Sequence, residues 1–144
     1  MDTHRKPAAL LVLAAVLFAP IGCKSELDEL SNYPFYLKML NERMASAAKS
    51  LPSDKPNLNI PYAIVGDMDS AVEAMESNYR GANRDAAIAK LKEMREALFA
   101  QLNTVLRPTP NGAVLLAGKT PADVAAVFNK AYEKYKAEFR PLVK

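Results

Sequence analysis

Tryptophan is absent from the 144 residues, cysteine and histidine occur once each, and glycine only five times. A single cysteine closes no internal disulfide, so the fold must stand on its core. His4 and Cys23 both lie near the N-terminus, and from residue 24 onward there is neither imidazole nor thiol. That removes Ser-His-Asp triads, Cys-His pairs and the common zinc sites. A carboxylate dyad remains chemically open, but the acids present follow helix faces with no sign of a cleft. We therefore expect no enzyme, and no catalytic, cofactor-binding or metal-ligating residue. Charge of one sign is also missing. Beyond residue 22 there are 17 basic and 15 acidic side chains, too even a balance to require a nucleic-acid partner.

No apolar run is long enough for a transmembrane helix, which needs about 20 residues. The longest spans Ala8 to Ala19, behind a charged start that includes Arg5 and Lys6. A charged segment followed by a run of this length fits a secretory signal peptide. The run ends at Pro20-Ile21-Gly22-Cys23, which resembles the lipobox of bacterial lipoproteins. Gly22 and Cys23 match its two most restrictive positions, and Pro20 departs from the usual leucine-like residue. The resemblance implies cleavage before Cys23, a thioether-linked diacylglycerol on Cys23, and often N-acylation by a chain such as palmitate. Two or three acyl chains anchor a protein stably, where one is marginal. Lys24 stands where aspartate would signal retention, so the same resemblance implies export to the periplasmic face of the outer membrane, if the host has one.

What remains is rich in helix formers. Apolar residues at Leu27, Leu30, Tyr33, Leu37, Leu40, Met44, Ala48 and Leu51 step by three and four, which marks one helical face. Pro34 places the continuous helix start near Asn32 or Tyr33, because proline is tolerated in a first turn. Pro52 and Pro56 end it. A second stripe runs Ile64/Val65, Met68, Val72, Met75 and Tyr79, with Asn59 as the expected cap and Gly81 as the stop. A third runs Ile88, Leu91, Met94, Leu98, Leu102 and Val105, with Asn83 as cap and Asp85 in the first turn. Thr120-Pro121-Ala122-Asp123 is the clearest helix start: a capping threonine, proline at the first position and an acid at the third. Its stripe of Val124, Val127/Phe128, Ala131, Tyr135 and Phe139 carries the helix to Arg140, before Pro141. Between Pro108 and Lys119 a turn signal precedes the apolar run Ala113–Gly118. A short helix, a strand-like segment and a plug over the core all fit at that length.

The expected fold is all-α: an antiparallel four-helix bundle over residues 33–144. It stands behind a cleaved signal peptide (1–22) and a lipidated N-terminus with a short tether (23–32). The tether reaches at most roughly 35 Å, which holds the domain near its own membrane. Ile64 through Gly81 to Phe99 resembles a hairpin of cytochrome-b562-like bundles, which need an axial histidine that the segment after Cys23 lacks.

Three groups are candidates for binding. Asp67, Asp69, Glu73 and Glu76 suggest a cation site or a patch for a basic partner. No calcium-loop spacing accompanies them, and a solvated face is the expectation. Lys130, Lys134, Lys136, Arg140 and Lys144 suggest contact with anionic lipid, although lysines beside an apolar stripe are ordinary on a soluble helix. Phe35, Tyr36 and Tyr132 fall off the stripes, where exposed aromatics would mark a binding surface. The expected function is a non-enzymatic envelope lipoprotein. It meets the membrane through Cys23 and binds another envelope protein as a structural, accessory or inhibitory subunit. The alternative is a carrier of a small apolar ligand or lipid, suggested by Met39, Met44, Met68, Met75 and Met94. Nothing in the sequence fixes the oligomeric state.

Overall fold

Prolines and caps decide where these helices begin. In the computed structural model, which describes residues 33–143, four α-helices and a small hairpin follow one another. Helix α1 spans Tyr33–Ser50, α2 Ile60–Asn78, α3 Arg84–Leu102 and α4 Pro121–Lys134. Strands β1 (Leu106–Thr109) and β2 (Gly112–Leu115) lie between α3 and α4. The protein is mostly helical, as its stripes predict. The expected signal peptide (1–22) and the expected lipidated tether (23–32) with Cys23 lie outside the described residues.

Pro34 sits in the first turn of α1, where its missing N–H leaves no intrahelical bond unmade. At α4, Thr120 accepts from the Asp123 amide while the Asp123 carboxylate accepts from the Thr120 amide, a reciprocal capping box. These bonds hold the Asp123 carboxyl below its ordinary range. Asn59 and Asn83 stand at the expected N-cap positions, and their carbonyls accept from Ala63 and Ala87, but they cap without their side chains. Neither side chain bonds its helix, and that of Asn59 is used elsewhere. Gly81 is not the stop of α2, since the chain leaves the helix at Tyr79, which is extended.

Cross-links fix the directions of the helices. Tyr33 N–H donates to Asn78 Oδ1 at 3.0 Å, and Arg43 bonds Asp67, so α1 and α2 run oppositely. Arg95 with Asp69 and Lys92 with Glu76 do the same for α2 and α3. Lys134 with Glu93 and Lys90 with Glu138 do so for α3 and the last helix. The Tyr135 hydroxyl donates to Asn41 Oδ1 at 2.7 Å and ties the chain's end to α1. Burial pushes that hydroxyl's pKa well above the ordinary tyrosine value. Leu40, Met44, Met75, Leu91, Phe128 and Phe139 fill the centre. They come from α1, α2, α3, α4 and the turn that follows α4.

Two stretches depart from expectation. Helix α3 stops at Leu102, so Val105 is not on its stripe. Val105 instead accepts from the Leu116 amide beside the hairpin, and Leu106 is buried at the start of β1. The run after Pro108 is therefore strand-like. Leu106 pairs with Leu115 and Thr109 with Gly112 around a Pro110-Asn111 corner. Asn59 Oδ1 accepts the Ala113 amide at 2.7 Å and fastens β2 to the start of α2. Gly112 has φ +119, and a Cβ there would stand 2.9 Å from that same oxygen. We expect Gly112→Ala to cost about 1–2 kcal/mol, from backbone strain and a loosened Asn59 bond. Urea unfolding of the variant checks it; an unchanged midpoint would show that the hairpin absorbs the methyl freely.

The last helix also changes form. After Lys134 the chain widens into a π-turn over Tyr135–Phe139, closed by the Arg140 amide donating to Tyr135 O. A 3-10 turn over Arg140–Val143 follows. The widened turn keeps both the Tyr135 and Phe139 rings in the core, 5.1 Å apart between centroids.

Candidate functional site

Small side chains leave a seam unfilled. Where α3 faces α4, Ala97, Ala126 and Ala131 stand at positions that a leucine would fill, and a groove of about 450 Å³ results. Its floor is Met68, Met94 and Leu98, all buried. Its rim carries Gln101 from α3 and Lys130 and Lys134 from α4. The groove is lined along α4 from Ala126 to Lys134, which at ~1.5 Å per residue is about 12 Å. Thioethers at the floor are soft and adaptable, suited to varied apolar shapes.

The rim charges are unequal. Lys134 lies 3.5 Å from Glu93 and 3.8 Å from Glu138, while Lys130 has no ion pair among the described residues. Glu93 also meets Lys90 at 3.3 Å. The hydrogen bond from Lys90, with its positive charge and the bond from Lys134, lowers the Glu93 carboxyl below its ordinary value. Glu93 thus stays ionised beside the groove and holds one rim lysine, leaving the other open.

Other hollows are poorer candidates. One of about 200 Å³ between α1 and α2 has Ser70, Glu73 and Ser77 among its five lining residues. Another, of about 480 Å³, lies among the charged Glu76, Arg84, Asp85 and Lys92. The first is small and mostly polar, and the second sets only Ile88 and Ala89 among four charged side chains.

The expected binding groups disperse. Asp67 pairs with Arg43, Asp69 with Arg95 and Glu76 with Lys92, so three of the four acids spend their charge between helices. Among the described residues no cluster of three or more acids, histidines or cysteines is placed to hold a metal ion. The acids do not form one solvated face either, because Asp67 is buried. Lys136 pairs with Glu133 and lies over the Tyr132 ring, 4.5 Å from its centroid. Tyr132 and Tyr36 are half-buried, whereas Phe35 is exposed and meets Tyr36 edge to face at 5.4 Å. The methionines divide: Met44 and Met75 are fully buried, Met39 is half-buried, and Met68 and Met94 reach the groove.

Sequence reasoning missed the groove because two of its makers, Ala97 and Ala126, lie off the stripes, and Ala131 reads on its stripe as an ordinary core position. The available signal was the recurrence of Ala122, Ala126 and Lys130 on the exposed side of α4. No described helix is long and apolar enough to cross a membrane. Compared with protein families, characterised proteins and solved structures, the chain matches none.

Proposed function

We propose that the chain is an exported lipoprotein, anchored to the cell envelope through Cys23, that binds another envelope protein and catalyses no reaction. Its domain is an antiparallel four-helix bundle, held within reach of the membrane by the tether of residues 23–32. In a host with an outer membrane, it faces the periplasm from that membrane. The binding half of this reading is carried by one observation, the α3–α4 groove with its apolar floor and lysine rim. The anchoring half is carried by Arg5, Lys6, the run from Ala8 to Ala19, and Gly22-Cys23.

A ligand carrier is the weaker reading. It calls for a hollow between the helices that encloses most of its ligand. Met44 and Met75 are instead packed in the core, and the hollow beside Met68 and Met94 opens on the surface.

Cys23→Ser tests the anchor. We expect the wild type to fractionate with membranes and take up labelled palmitate, and the variant to do neither. Palmitate uptake by the serine variant would overturn the assignment. Crosslinking of the anchored full chain in its host tests the binding reading. One dominant envelope protein in the adducts supports it, and lipid co-purifying without a protein adduct turns the reading to the carrier.

A further inference from the structure

We infer that the α3–α4 groove seats one short amphipathic helix of the partner protein, with carboxylates along its side facing α4. This rests on the protein-binding reading above and adds the occupant and its place. Three observations select it. A groove about 12 Å long matches two turns of helix, enough for apolar anchors at i, i+3 or i+4, and i+7. Ala97, Ala126 and Ala131 let a second backbone approach closely, and the Met68 and Met94 thioethers shape themselves to its anchors. Lys130 and Lys134 are one turn apart on the rim, and Lys130 is without an ion pair among the described residues. Carboxylates at matching spacing on the incoming helix complete that pair. An acyl chain fits less well. Its extended length exceeds the groove, and an open trough leaves much of it in water.

The test places a benzophenone amino acid at Gln101 on the rim, or at Phe35 on α1, in the full anchored chain in its host. Adducts are then mapped to the residue. From Gln101 we expect one adduct, on a segment with apolar residues at helical spacing flanked by Asp or Glu. Lys130→Glu breaks no ion pair, and Ala126→Leu fills the groove from an exposed position. Each should reduce that adduct at least about tenfold with the melting temperature held. No protein adduct from Gln101, an adduct on a segment without that pattern, an adduct on lipid, or indifference to both variants overturns the inference. A protein adduct from Phe35 alone would keep the binding reading and remove the groove from it. Silence at both positions, with no crosslinked protein from the whole chain, would end both.

Discussion

Phe128→Ala should destabilise the domain by about 3–5 kcal/mol, read as a lower urea midpoint at unchanged slope. The ring is fully buried on α4, the shortest of the four helices, which packs against both α1 and α3. Removing it deletes a large apolar surface and leaves a hole that core side chains of the other helices cannot close without a shift of α4. A domain of this size has a total stability of about 5–15 kcal/mol, so the loss is roughly a fifth of it or more. Phe99 is the internal comparison. It is half-buried, meets Tyr62 edge to face at 6.2 Å, and lies under the Arg95 guanidinium. Truncating Phe99 strips a surface contact and should cost clearly less. Equal losses at the two positions would mean that α4 is not held by its ring.

The stripes gave away the helices because burial follows them closely. Leu37, Leu40, Met44 and Leu51 are buried on α1 or just past its end, and Ile88, Leu91, Met94, Leu98 and Leu102 along α3. Periodicity reads a burial pattern that local geometry imposes, and this succeeds wherever one helix presents one face. The Thr120 box was legible for a similar reason: each partner lies within three residues of the other. Asn59 holds the N-cap position but gives its helix no side-chain bond, because its amide oxygen is used 54 residues away, on the hairpin. Distance along the chain hides such a bond from any local rule. The π-turn was hidden differently. Tyr135 and Phe139 are four apart, a spacing that an α-turn and a widened turn both bury.

Asp67 and the groove were illegible for opposite reasons. Asp67 follows Ile64-Val65-Gly66 at the edge of an apolar stripe, and only its partner Arg43 on another helix makes its burial tolerable. The groove is a shortage of side-chain volume shared by two helices, and no pattern in either reports what the other omits. The seams differ in kind. Between α1 and α2 stands a charged pair with a buried carboxylate, and between α2 and α3 stand Arg95–Asp69 and Lys92–Glu76. Between α3 and the last helix the ion pairs among the described residues are lysine links at 3.5 and 3.8 Å. A partner entering the proposed groove has weaker charged links to displace there than at the α1–α2 seam.

Arg43→Ala carries the largest expected effect among the charged residues, about 2 kcal/mol. The guanidinium Nη1 donates to both Asp67 oxygens, at 2.8 and 3.0 Å. The Asp67 side chain is only 11% exposed, so removing its partner strands a carboxylate largely out of water. Breaking a fully buried pair costs ~3–5 kcal/mol. The Arg43 side chain is 54% exposed, and screening on its open side brings the figure down. The converse change separates charge from packing. Replacing Arg43 and Asp67 together by methionine removes the stranded charge along with its partner, and should return the domain to within about 1 kcal/mol of wild type. A double-mutant cycle by urea unfolding reads both values. If Arg43→Ala cost no more than the double replacement, the pair would be an ordinary surface bridge. The α1–α2 seam would then rest on its apolar packing, Leu40, Met44 and Met68 included, and on the Tyr33–Asn78 bond.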